Sequence, residues 1–210
     1  MNLPKAILLI GFIFFANFGF SQTAENREEV FTIEALQEDF NFWRNRLESK
    51  HPLLYLYSSK ATVDSCFETT FQRIDHPMTA LEFYKLMAPM VGVIKDGHNA
   101  VFPNGKAVSK LRDHQYLLPL EVRFIDRQLY VSLDLSKEKC LEANTEISHI
   151  NGIASGDMLD KMLSISPGDG YNLQLPYQTI NYFFRFYYHL YYGYAESYSI
   201  QYLDANNENR

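Results

Sequence analysis

LLPLEVRFIDRQLYVSLD, residues 117–134, decides how the rest of the chain is read. Leu120, Val122 and Phe124 alternate with Glu121 and Arg123, residues 125–128 turn, and Leu129, Val131 and Leu133 alternate with Tyr130 and Ser132. A period of two on both sides of a short turn predicts a β-hairpin with one face turned to a core. Downstream, Glu146-Ile147-Ser148-His149-Ile150-Asn151-Gly152 reads as another strand ending in a turn, and Ser155 as the cap of a helix carrying Met158, Leu159, Met162 and Leu163. Pro167-Gly168-Asp169-Gly170 ends that helix. The stretch 171–194 is dense in Tyr and Phe and reads as a buried helix or as a surface for sugar, lipid or peptide. Residues 197–203 alternate again as a strand, followed by a turn at Asp204-Ala205-Asn206-Asn207.

Upstream the period is helical. Ile33, Leu36, Phe40, Trp43 and Leu47 share one face behind a cap at Thr32, and His51-Pro52 ends that helix because a residue before proline is pushed out of the α region. Val63, Phe67, Phe71 and Ile74 mark a second helix, broken at Asp75-His76-Pro77. Thr79-Ala80-Leu81-Glu82 is a capping box opening a third, with Phe83, Leu86, Met87, Met90, Val91 and Ile94 on its face and a kink expected at Pro89. Lys95-Asp96-Gly97-His98 reads as a turn with glycine as the permissive residue, and residues 99–102 as extended. Pro103-Asn104-Gly105-Lys106 reads as a further turn. The fold class is α+β: a helical unit, residues 33–105, then a β-rich part, residues 117–206.

The first 21 residues stand apart. Lys5 precedes an apolar run from Ala6 to Ala16, and Gly19 and Ser21 supply small residues before Gln22. That is the layout of a secretory signal cleaved after Ser21, too short to span a bilayer comfortably. Residues 22–32 then read as a linker, and the mature protein is expected in the periplasm or outside the cell. No later stretch is a candidate membrane span. The chain is 47% hydrophobic and 21% charged, an ordinary globular balance, and its formal net charge of −6 without any basic run argues against a nucleic-acid partner. Cys66 and Cys140 could pair in an oxidising compartment, but they fall in different sub-structures and a bond is not favoured.

His98, between a helix and an extended segment, is placed either for general acid–base work or for a structural hydrogen bond in a loop. His51 and His76 sit at helix ends and read as caps, and His149 lies on one face of a strand. No histidine pairs with another at metal-ligand spacing, no glycine loop cradles phosphate and no nucleophile elbow is present, so neither a metal nor another cofactor is expected.

The order of these features resembles a known family. His51-Pro52-Leu53-Leu54-Tyr55, then Ile94 to His98 with its Asp-Gly-His, then a hairpin opening on Leu118-Pro119, then Glu146-Ile147 and Ile150-Asn151-Gly152, is similar to the exported serine peptidases of the C-terminal-processing (tail-specific) and tricorn type. The resemblance implies that the β-rich part is a partial or circularly permuted PDZ-like domain taking peptide or unfolded protein, and that the serine nucleophile and oxyanion donors belong to a catalytic domain beyond it. None of those groups lies in these 210 residues, so the fragment by itself is not expected to hydrolyse peptides. In tricorn-type members a histidine at the position of His98 serves as general base; in members with a Ser-Lys pair it is structural. Where the family carries Gly-Asp before Glu-Ile, this chain has Asn144-Thr145, and asparagine tolerates the left-handed backbone. The competing readings are a non-catalytic exported peptide-binding module and an aromatic-rich carbohydrate- or lipid-binding protein.

Overall fold

In the computed structural model, residues 29–103, 108 and 117–203 are described. The expected leader, the turn at 103–106, His114 and the turn after Leu203 lie outside them, wholly or in large part. The helical part begins with β1 (Val30–Phe31), a two-residue strand inside the expected linker, which pairs antiparallel with β2 (Met78–Thr79). Between them run α1 (Ile33–Lys50) and α2 (Lys60–Gln72), each opened by a hydroxyl cap: Thr32 accepts from the Ala35 N–H and Ser59 from the Thr62 N–H. Phe40 and Phe67, both fully buried, meet edge to face at 6.2 Å and knit α1 to α2.

The capping box forms as read: the Thr79 hydroxyl accepts from the Glu82 N–H at 3.2 Å and the Glu82 carboxylate from the Thr79 N–H at 2.8 Å. The Thr79 N–H first, then the Thr79 hydroxyl donating to the same carboxylate at 2.9 Å, hold the Glu82 pKa below the usual carboxylate range. Pro89 does more than kink the helix. It splits it into α3 (Ala80–Met87) and α4 (Pro89–Ile94), with proline at the first position of the second piece, where its missing N–H costs nothing.

The hairpin is β3 (Leu120–Ile125) and β4 (Gln128–Asp134), joined through Asp126 and Arg127 at φ 47° and 69°. Two left-handed residues in succession match the twist of the flanking strands. Leu120, Val122, Phe124, Leu129 and Val131 are buried and their neighbours are not, apart from Asp134 at the end of β4. That carboxylate is buried, which works to raise its pKa, but the Ser136 hydroxyl, then the N–H groups of Leu141 and Ser136 at 3.0 and 2.8 Å, and the Lys139 charge together outweigh burial and hold it low. It thereby organises the loop to β5 (Glu146–Ile150), which Asn144 enters at φ 69°.

Asn151 and Gly152, at φ 50° and 77°, turn β5 into β6 (Ile153–Ala154), and α5 (Ser155–Leu163) follows. Ser155 is not the cap: Ala154 holds that position without a side-chain bond, and Ser155 is already helical. The aromatic stretch forms α6 (Gln174–Tyr192), kinked at Phe183 (φ −110°, ψ 19°), and β7 (Ile200–Tyr202) returns to pair with β5. The sheet runs β3-β4-β5-β6 with β7 also on β5, all antiparallel, so the chain is α+β. One apolar core continues from Leu36 in α1 to Leu190 in α6. Both cysteines are free thiols, and Cys66 Sγ lies 3.0 Å from Met90 Sδ.

Candidate functional site

Three connections converge on the end of α4. Lys95 caps that helix in the left-handed conformation, φ 58°, its N–H bonded to the Val91 carbonyl. The permissive residue of the expected turn is therefore Lys95 and not Gly97, which has no positive φ. Asp96 then closes a tight loop: its carboxylate accepts the His98 N–H at 2.7 Å and its carbonyl the Asn99 N–H at 3.1 Å. Residues 99–102 join no strand among the described residues.

The α1–α2 connection braces this turn from one side. The Ser58 hydroxyl donates to the Val93 carbonyl at 2.6 Å, and Tyr57 donates to Asp169 at 3.0 Å, a bond that holds the phenol pKa above its ordinary value. The α5–α6 connection braces it from the other. The Gly170 N–H donates to the Lys95 carbonyl at 3.0 Å, and the Lys95 ammonium lies 4.0 Å over the Tyr171 ring. Gly170 is at φ 64° with the Tyr57 ring 2.6 Å from where a Cβ would sit, so only glycine fits. Gly97 packs under Leu175 of α6, whose Cδ2 would lie 3.0 Å from an added Cβ.

This scaffold holds His98 out. Its ring is fully exposed, with Nδ1 3.5 Å from the near oxygen of Asp96. Asp96 is only 13% exposed, and its other oxygen faces His51 Nε2 at 3.7 Å. Both separations are ion-pair distances, longer than direct hydrogen bonds. His51 Nδ1 accepts the Leu53 N–H at 3.3 Å, so the proton of the neutral ring is on Nε2, toward Asp96. One carboxylate thus stands between two imidazoles. By sequence spacing alone His51 reads as a helix cap. Local spacing across a glycine hides the second contact, and His51 is brought in only by tertiary packing. Among the described residues no serine or cysteine is bonded to the His98 ring.

The other candidates fall elsewhere. His76 pairs with Asp75, His149 Nδ1 lies 3.2 Å from Ser148 Oγ, and His189, to which the sequence suggested no role, is buried. In the aromatic stretch Phe184, Tyr187 and Tyr188 are core, while Tyr182 and Phe183 face solvent. A cleft of about 510 Å³ lined by Arg73, Glu82, Lys85, Lys161 and Tyr191 lies between α3 and α5, apart from His98. No described helix is long and apolar enough to cross a membrane.

This arrangement, a helical part feeding a turn with an exposed histidine and then an antiparallel sheet flanked by helices, has a distant likeness among solved structures. A solved structure of mature CPAF matches it with a TM-score of 0.54 at 11% identity, over 85% of this chain and 33% of that one. At that identity the likeness is one of fold, and the chain spans a third of the length of the CPAF chain. No family model and no curated protein matches the sequence.

Proposed function

We propose that this chain is the N-terminal part of an exported serine-type peptidase, a helical unit followed by a PDZ-like part, in which His98 is the general base. The observation that carries the reading is the arrangement of the α4 turn: an imidazole presented fully to solvent with a shielded carboxylate fixed behind it. His98 Nε2 points away from Asp96 and is available to take the proton of a serine hydroxyl, while Nδ1–H faces Asp96 and the imidazolium formed is steadied by that charge. Asp96 is the positioning residue, and His51 keeps its carboxylate from turning away. The 3.5 Å separation is of the kind that tightens when substrate closes a site. The serine and oxyanion donors are supplied from outside these residues, and the substrate is peptide or unfolded protein. The fold likeness to mature CPAF supports this reading, and the leader-like residues 1–21 support export.

The test is casein hydrolysis by the complete reading frame as wild type, His98→Ala and Asp96→Asn. The expected result is cleavage by wild type, loss of at least about a thousandfold in His98→Ala and a smaller loss in Asp96→Asn, all three folded. Equal cleavage by wild type and His98→Ala makes His98 structural and favours a Ser-Lys pair. No cleavage by any of them removes the enzyme reading in favour of a peptide-binding module.

A further inference from the structure

Resting on the PDZ-like, peptide-taking reading proposed above, we infer that the outer edge of β3 is a peptide-docking edge kept shut by α6, with Asn181 as its latch. Among the described residues β3 is the terminal strand of its sheet and pairs with β4 on one side only. The outward backbone groups of such a strand are a template for an extended peptide. Here those of Phe124 are taken from within. Asn181 of α6 accepts the Phe124 N–H at 2.7 Å and donates to the Phe124 carbonyl at 3.1 Å. Six residues back, the Leu118 N–H donates to His189 Nε2 at 2.8 Å. Asn181 opposite Phe124 and His189 opposite Leu118 mean that α6 runs antiparallel along β3, and the Phe124 and Phe184 rings seal the space between at 5.8 Å.

A side-chain amide is the same chemical group as a peptide unit. An incoming strand residue opposite Phe124 would exchange with it the same two bonds that Asn181 makes. Docking is therefore an exchange of equivalent hydrogen bonds, without an orphaned group on β3. The helix is also divided where such an exchange needs it to be. The kink at Phe183 separates residues 174–182, which carry Asn181 and bury Pro176 and Ile180, from a second half anchored by buried Phe184, Tyr187, Tyr188, His189 and Leu190. Exposed Tyr182 and Phe183 mark the joint. The first half also carries Leu175, packed on Gly97 beside His98, so its displacement by peptide reaches the His98 turn through a direct contact.

The test uses the 210-residue chain and fluorescein-labelled β-casein as an unstructured probe, read by anisotropy and by hydrogen exchange rather than by cleavage. Its outcome is thus separable from that of the peptidase assay. The expected result is weak binding by wild type, about tenfold tighter binding by Asn181→Ala, and intermediate binding by Asn181→Asp, which keeps only the bond from the Phe124 N–H. On adding casein to wild type, residues 120–125 gain protection while 174–182 lose it. Equal affinity of all three folded proteins, or protection of 120–125 with 174–182 unchanged, means that the edge is already open and overturns the latch. An absence of casein binding even in the folded Asn181→Asp protein overturns the docking edge itself.

Discussion

At the scale of single residues, two histidines illustrate opposite environments. His98 works, on the proposed reading, because it is held at the surface with one nitrogen free. His189 is buried and committed at both nitrogens: Nε2 accepts from Leu118, and Nδ1 donates to the Gly193 carbonyl at 2.9 Å. Burial pushes the His189 pKa down and nearby Arg185 pushes the same way, against the Gly193 bond. In the unfolded chain this imidazole takes up a proton near pH 6.5, more readily than in the fold. The unfolded state thus binds more protons as pH falls below that value, so the stability His189 confers is complete above it and lost on acidification. Between about pH 7.5 and about pH 5.5 the wild-type Tm should fall more than that of His189→Gln, whose amide can both accept and donate. Parallel Tm curves for the two proteins would contradict the assignment. His98 was legible from its Asp-Gly-His context, whereas His189, in a run of tyrosines, gave no sequence signal, because its partner Leu118 lies 71 residues away.

At the scale of elements, local chemistry was the most readable part. Caps at Thr32 and Thr79, the period-two hairpin and the Asn-Gly turn each rest on contacts within a few residues, and each formed. Thr79→Ala removes one arm of the capping box and leaves the Glu82 N–H to water. It should lower stability by about 1 kcal/mol, measured as a urea-unfolding midpoint. An unchanged midpoint would mean that packing alone fixes the start of α3. The elements misread were those where tertiary contacts decide. Ser155 lost the capping position because the β5–β6 turn delivers Ala154 there, and residues 99–102 join no strand among the described residues. Asp134 belongs to the same group. A carboxylate at a buried strand position looks like a break in the alternation, yet it ties down residues 135–141. Asp134→Ala leaves the Ser136 and Leu141 N–H groups without that acceptor and should cost about 2 kcal/mol, with hydrogen exchange rising first in this loop.

At the scale of the whole molecule, the helical unit and the β-rich part touch backbone to backbone at α4. A Cβ on Gly92 of α4 would lie 2.3 Å from the carbonyl oxygen of Ser164 at the end of α5, a backbone contact that no rotamer change relieves. Gly92→Ala should therefore destabilise the protein by about 1–3 kcal/mol, in a single unfolding transition. An unaltered stability would mean that the two parts separate easily. The same close fit brings Tyr57, Asp169 and Leu175 onto the His98 turn from positions before and after it in the chain. Sequence order alone pointed to His98 as the candidate residue. The assembly around it came from packing between α1, α4 and α6, which periodicity does not encode.

The central claim is that His98 activates a serine supplied from beyond this part of the chain. The most direct measurement is the rate at which an alkyl fluorophosphonate labels the complete protein, wild type beside His98→Ala, since the reagent reports an activated serine without needing the correct peptide. Labelling of wild type and its loss by about a hundredfold or more in a folded His98→Ala protein is the result the account predicts. Equal labelling of both, or labelling of neither, would contradict it.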